Sequence, residues 1–186
     1  MSEQLWQGYD EQGLPTGPVT LPQCADGALH GAAHIWIWRR QNDNVDILLQ
    51  LRAADVPTWP SFLDVSAAGH IDFGETPMQA ALRESEEEIG LALRPQDLSL
   101  LFVGRNIHTF VGPPQIIENE FRWVYAHELV DESQLRLDDG EVEAVRWVTL
   151  KELKQLAADP GSKLVPQGED YFMMLFAGIE RLAKEA

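Results

Sequence analysis

Apolar and polar positions along the chain change period several times, and each change marks an element. Ala33 to Trp38 (AHIWIW) is rich in β-branched and aromatic residues and reads as a strand. A polar turn, Gln41 to Asn44, leads into Val45 to Leu51 (VDILLQL), so the two runs are expected to pair as a hairpin. The run FLDVSA from Phe62 reads as a short third strand. The period then lengthens: Met78, Ala81, Leu82, Ser85 and Ile89 share one face at helical spacing. Thr76 is the expected N-cap of that helix, Pro77 its first residue and Gln79 the partner in a capping box. Gly90 is placed to close it in the left-handed conformation. Strands are expected again at Leu98 to Gly104, Glu120 to Leu129 and Glu143 to Val148. Thr149 and Glu152 predict a second capping box, for a short helix ending before Pro160. The tail, residues 170–186, reads as an amphipathic helix with Phe172, Leu175, Phe176, Ile179 and Leu182 on one side. The first thirty residues, rich in Gly and Pro, read as an N-terminal extension with a hairpin turning at Glu11-Gln12-Gly13. Strands flanking helices through short links predict a mixed α/β sandwich, one domain over residues 1–186.

Composition narrows the partners. Of 186 residues, 45% are hydrophobic and 24% charged, as in an ordinary globular chain. The formal net charge of −16 argues against binding a nucleic-acid polymer or an anionic membrane. A phosphorylated small molecule remains compatible, because a bound cation inverts the local field. The first residues carry no basic region and no apolar core, so no signal peptide is read, and the apolar run from Tyr171 to Ile179 is too short to span a bilayer. The single cysteine, Cys24, excludes an internal disulfide and a thiolate zinc cluster. A cytoplasmic protein is the default expectation. The apolar face of the tail helix is read as core or as a homodimer contact.

One stretch breaks local rules. Arg83-Glu84-Ser85-Glu86-Glu87-Glu88 crowds four carboxylates into five positions near the C-terminal end of a helix. Glu84 and Glu88 form a like-charge i,i+4 pair, and the helix macrodipole adds to the repulsion. At about 100° per residue, Glu84, Glu87 and Glu88 fall in one arc bordering the apolar stripe, whereas Glu86 points elsewhere. Three such carboxylates suit Mg²⁺ or Mn²⁺, which would relieve their repulsion. An ordinary solvated acidic face is the alternative.

The surrounding spacing distinguishes these readings. Gly69 is followed after five residues by Glu75, after seven more by Arg83, and then by Glu84, Glu87, Glu88, Gly90 and Leu91. This resembles the Nudix box, G-x5-E-x7-R-E-U-x-E-E-x-G-U, with every fixed polar and glycine position met over residues 69–91. Ser85 stands where a bulky aliphatic residue is usual; its hydroxyl is expected to bond back to a carbonyl one turn earlier. The resemblance implies a Nudix α/β/α sandwich with a mixed sheet and a loop-helix-loop box. It implies a diphosphatase or pyrophosphohydrolase in which water attacks a small-molecule diphosphate with Mg²⁺ or Mn²⁺ as cofactor. Glu84, Glu87 and Glu88 would hold the metal, Arg83 and Glu75 would brace the loop on the helix, and Gly69 and Gly90 would supply turns. Glu87 and Glu120 are the candidate general bases.

The likeness extends over roughly residues 30–155 and resembles the branch containing isopentenyl-diphosphate isomerase. That isomerase binds its metal through histidines and two glutamates and works through a cysteine. His30, His70, Glu118 and Glu120 fall at matching positions; Gln23 replaces an upstream histidine, and Ala68 replaces the cysteine. An alanine cannot protonate an allylic carbon, so hydrolysis is favoured over isomerisation. The complete glutamate set argues against a silent diphosphate sensor. His30 and His70 have a plain alternative as loop-end hydrogen bonders, and His70 is also a candidate substrate contact. Arg52, ending a strand, is read as a phosphate ligand or as a salt-bridge partner. Glu118 and Glu120 share a strand face. Trp36, Trp38, Trp59, Trp123 and Trp147 are read as core, with at most one lining a pocket, and Cys24 as a buried or incidental thiol. Loops such as Arg105 to Gln115, together with the N-terminal extension, are expected to build the rest of the pocket, and the substrate's organic group is left open.

Overall fold

The computed structural model describes residues 4–110, 115–137 and 140–185. In chain order its elements are β1 (Leu5–Tyr9), β2 (Pro15–Thr20), α1 (Leu21–Ala25), β3 (His30–Gln41), β4 (Asn44–Arg52), β5 (Leu63–Asp64), β6 (Ala67–His70), α2 (Pro77–Ile89), β7 (Ser99–Phe110), β8 (Ile116–Glu128), β9 (Val142–Thr149), α3 (Leu150–Ala158) and α4 (Glu169–Glu185).

β3 is the spine of a mixed sheet. It runs parallel to β8 from His30↔Glu120 to Trp38↔Glu128. Its other edge is shared: the end from Trp38 to Gln41 pairs antiparallel with β4, and Ala32 to Ile35 pair antiparallel with β6. The sheet therefore forks near Ile37. Backbone groups at a fork lose their ladder partners and need others. Ser66 supplies one: its hydroxyl accepts from Ile37 N at 2.8 Å and donates to Leu48 O at 2.6 Å.

Alternate residues of β3 enter opposite cores, as a strand's two-residue period requires. Ala33, Ile35 and Ile37 pack with Ala80, Ala81 and Ile89 of α2. Trp36 and Trp38 pack with Leu153 of α3 and with Phe172, Leu175 and Ile179 of α4. The sheet is thus covered on both faces, and β3 reads as a continuous apolar run for that reason. No described helix is long and apolar enough to cross a membrane.

The local expectations for α2 hold. Thr76 Oγ1 accepts from Gln79 N at 3.3 Å, Gln79 Oε1 accepts from Thr76 N at 2.9 Å, and Gly90 has φ of 72°. Ser85 donates to Ala81 O at 2.7 Å, so the hydroxyl on the apolar stripe is satisfied inside the helix. The N-terminal hairpin turns where expected, with Asp10 Oδ1 accepting from Gln12 N and Leu14 N, both at 2.9 Å. Two expectations need correction. The box at α3 is half made: Thr149 Oγ1 accepts from Glu152 N at 3.1 Å, but the Glu152 carboxylate pairs with Arg146 at 2.8 Å instead. The expected loop from Arg105 is strand as far as Phe110, because the β7–β8 ladder continues to Phe110↔Ile116. Of that loop, residues 111–114 lie outside the described residues.

Candidate active site

Arg83 organises the carboxylates of α2. Its Nε and Nη2 each meet one oxygen of Glu75 at 3.0 Å, and Nη2 also donates to His70 O at 2.9 Å. Nη1 reaches Glu84 Oε1 at 2.6 Å and Glu87 Oε2 at 3.1 Å. A forked guanidinium suits such convergence. Glu75 Oε2 also accepts from Asp72 N at 3.1 Å, which closes the loop before the helix. Glu84 and Glu88 are buried, whereas Glu87 stands exposed at the rim. Burial pushes the Glu84 carboxyl up to about 7, although Arg83 opposes the rise. Glu88 Oε2 accepts from Ala68 N at 2.9 Å and from Gln50 Nε2 at 3.5 Å. Gly69 is necessary where it stands, since a β-carbon there would overlap the Glu84 carboxylate. Gly90 also leaves no room, a β-carbon there lying 2.7 Å from Arg136 Cβ.

On the other side of β6 lies a second group. The Nε2 atoms of His30 and His70 lie 3.6 and 3.5 Å from Glu120 Oε1. These three residues each offer a ligand atom, all within 4.8 Å of one another. Trp6 of β1 stacks on His70 at 4.0 Å and 18°. His30 Nδ1 bonds to Ala28 O at 2.8 Å; a carbonyl only accepts, so Nδ1 carries the proton. Nε2 of His30 is then buried with no hydrogen-bond partner among the described residues. Burial lowers the pKa of His30, but contacts with Cys24 and Glu120 outweigh it and raise the value to about 10. Glu118 is not one of the three. Burial and the charge of Glu120 push its carboxyl up to about 7.

Behind Glu120 runs a buried polar chain. Arg122 Nε donates to Glu120 Oε2 at 2.8 Å, and Arg122 Nη1 donates to Gln167 Oε1 at 2.5 Å. Gln167 Nε2 donates to Asp64 Oδ1 at 3.1 Å, and Arg52 Nη1 reaches Asp64 Oδ2 at 3.4 Å. Arg52 is therefore a salt-bridge partner at the cluster's edge, with its Nε on Thr58 O at 3.1 Å. Burial opposes ionisation of Glu120, yet Arg122 and the two imidazoles hold its pKa well below the usual carboxylate range.

β6 joins the two groups within four residues. Ala68 gives its N–H to Glu88, Gly69 abuts Glu84, and His70 offers its carbonyl to Arg83 and its ring to Glu120. Trp6, Asp64, Arg122, Gln167 and Glu141 were not singled out from the sequence. Arg122 was legible, because a residue two beyond Glu120 shares its strand face. Glu141, whose charge raises Glu84 further, carries no local signal. A cavity of about 340 Å³ lined by Trp38, His127, Glu128 and Leu182 lies toward the far end of β8 and takes no part in the cluster.

A family model described as the NUDIX domain matches residues 28–167. Over 172 residues the chain is 33% identical to Nudix hydrolase 3 of Arabidopsis thaliana, covering 89% of this chain but only 22% of that protein. Over 154 residues it is 32% identical to isopentenyl-diphosphate Delta-isomerase of Klebsiella pneumoniae, covering 81% of this chain and 79% of that one. Among solved structures, DR0079 of Deinococcus radiodurans matches with a TM-score of 0.62 at 18% identity, covering 92% of this chain and 98% of that one, a likeness of fold. With the box seated on α2 and the family model spanning most of its length, the chain belongs to the Nudix family.

Proposed function

We propose that this domain hydrolyses a diphosphate linkage in a nucleoside diphosphate derivative or related organic diphosphate, with Mg²⁺ or Mn²⁺ as cofactor. One observation carries the reading: two buried carboxylates, Glu84 and Glu88, press on the backbone of a strand whose His70 faces Glu120. Burying carboxylates is costly unless a cation compensates. The donor set fits such a cation. Glu84, Glu87 and Glu88 offer hard oxygens. His30 offers a buried imidazole nitrogen that faces Glu120 without a hydrogen bond, and with His70 and Glu120 it fits a second cation of the Mn²⁺ type. When bound, the cation neutralises phosphate oxygens and acidifies water.

The chain's own residues supply the rest. Arg83 orients the helix carboxylates and fixes the loop through Glu75. Glu87 takes a proton from water in this reading, and its exposure at the rim supports that role. Glu120 is the alternative base, but Arg122 keeps it anionic and weakly basic, which suits a ligand better. In this reading Arg52 contacts phosphate and His70 the substrate; the pairing of Arg52 with Asp64, which orients its guanidinium, supports the first. Isomerisation is disfavoured because Ala68 presents a methyl group where an acid is needed. The reading includes a small-molecule partner, a cytoplasmic setting and no nucleic-acid polymer. Phosphate release from a panel of organic diphosphates, with Mg²⁺ and with chelator, tests it. Activity should vanish with chelator and fall by orders of magnitude in Glu87→Gln and Glu88→Gln. Both variants staying within a few-fold of the parent would remove these residues from the mechanism.

A further inference from the structure

The fork in the sheet divides the site between two arms. Arg52 and Asp64 stand on the arm of β4 and β5, where Gln50 pairs with Asp64. Glu120 and Arg122 stand on β8, along the length of β3 that also pairs with β6. Among the described residues β4 and β8 share no ladder. Arg52, the proposed phosphate contact, and Glu120, the proposed cation ligand, are thus not held together by direct backbone pairing. Gln167 crosses the gap. It belongs to the segment before α4, which is bonded along β5: Leu63 N donates to Lys163 O at 2.7 Å, and Val165 N donates to Leu63 O at 2.8 Å.

Both partners of Gln167 are one-sided. Arg122 carries only donors, so its Nη1 meets Gln167 Oε1, at 2.5 Å. Asp64 accepts at both carboxylate oxygens. Its Oδ1 takes Val65 N at 2.8 Å and Gln167 Nε2 at 3.1 Å, and its Oδ2 takes Arg52 Nη1 at 3.4 Å. The amide therefore has one orientation, with a cation on one side and a carboxylate on the other. A carboxylate at position 167 would keep Arg122 but oppose Asp64, and an apolar side chain would serve neither. Burial sharpens the requirement, because Gln167, Arg122 and Asp64 are each at most 8% exposed. Glu120 hangs from the same chain. Its Oε2 takes Arg122 Nε at 2.8 Å, which leaves Oε1 to face both histidines.

Building on the hydrolase reading, we infer that Gln167 is a positioning residue that couples the phosphate contact Arg52 to the cation ligand Glu120. The amide fixes Glu120 through Arg122 and Arg52 through Asp64, so phosphate and cation are received in one fixed relation. Binding without turnover tests this. Mn²⁺ alone is titrated and followed by pulsed electron paramagnetic resonance, in which nitrogen modulation separates ions held by His30 and His70 from ions on the oxygens of α2. Methylenebisphosphonate, which resists hydrolysis, is titrated by calorimetry in Mg²⁺. Gln167→Leu should weaken nitrogen-bound Mn²⁺ roughly 10- to 100-fold, as loss of a group that orients a metal ligand does, and should weaken methylenebisphosphonate as well. Gln167→Glu should separate the two ligands: Mn²⁺ affinity stays near that of the parent, while methylenebisphosphonate weakens as much as in Gln167→Leu. Adding Asp64→Asn to Gln167→Glu removes the repulsion between the two positions and should restore methylenebisphosphonate binding. A purely structural role would lower the melting temperature without this split. Gln167→Glu, which keeps its bond to Arg122, carries the test where Gln167→Leu fails to fold. Equal loss of both ligands in Gln167→Glu, or loss of neither in Gln167→Leu, would overturn the inference, as would absence of nitrogen-bound Mn²⁺ in the parent. The split without phosphate release from any diphosphate would sink the hydrolase reading alone.

Discussion

The Glu84 carboxylate fills the space that a side chain at Gly69 would need, and that closeness makes a clear demand on one residue. A methyl group at Gly69 must push the Glu84 carboxylate aside or lift α2 from β6. Gly69→Ala is therefore expected to lose stability by about 1–3 kcal/mol, as overpacking does, and to abolish activity. Thermal unfolding beside a phosphate-release assay checks it; a stable, active variant would mean that Glu84 does not sit against the strand. His34 makes a different demand. Its Nδ1 lies 2.8 Å from the hydroxyl of Tyr171, and burial with the nearby charge of Arg122 lowers its pKa from 6.5 to about 3. Between those values the unfolded chain binds a proton that the folded chain refuses. Stability from this residue is full above pH 6.5 and falls as the solution is acidified, by about 2 kcal/mol at pH 5. His34→Gln should be less stable throughout but should flatten the acid limb by that amount. Parallel curves for the two proteins would show that His34 does not titrate this way.

At the scale of elements, α2 was the most legible part of the chain because its signals are local. Thr76, Gln79 and Gly90 cap it as their spacing predicts, and Ser85 bonds to Ala81 O. Thr76→Ala should cost about 1 kcal/mol, the usual value of an N-cap. Ser85→Ala should change stability by less than about 0.5 kcal/mol, because the Ala81 carbonyl keeps its helical partner and alanine favours the helix. Denaturant melts separate the two, and a larger loss at Ser85 than at Thr76 would refute this ranking. The box was readable for the same reason: Gly69, Glu75, Arg83 and the glutamates lie within one loop and one helix. Beyond Arg122, what surrounds Glu120 was not readable. Arg122 reaches Gln167 across 45 positions and Gln167 reaches Asp64 across 103, separations that no local pattern reports. The strand ends were missed because pairing with β8, rather than composition, extends β7 to Phe110. Trp59 could not be told from a core tryptophan until its absence from both cores was visible.

Across the whole molecule, a net charge of −16 and a concentration of carboxylates on α2 oppose the folded state. A divalent cation bound only by the fold should stabilise it, by about 2.7 kcal/mol at a hundredfold excess over the dissociation constant. The melting temperature should rise with Mg²⁺ or Mn²⁺, less so in Glu88→Gln; an equal rise in both would place the ion elsewhere. The central claim is attack of water at phosphorus, and isotope transfer tests it most directly. The protein is incubated with Mg²⁺ and nucleoside and prenyl diphosphates in ¹⁸O-labelled heavy water. The account predicts ¹⁸O in a phosphate product and no deuterium in isopentenyl diphosphate. Deuterium on carbon without phosphate release would contradict it.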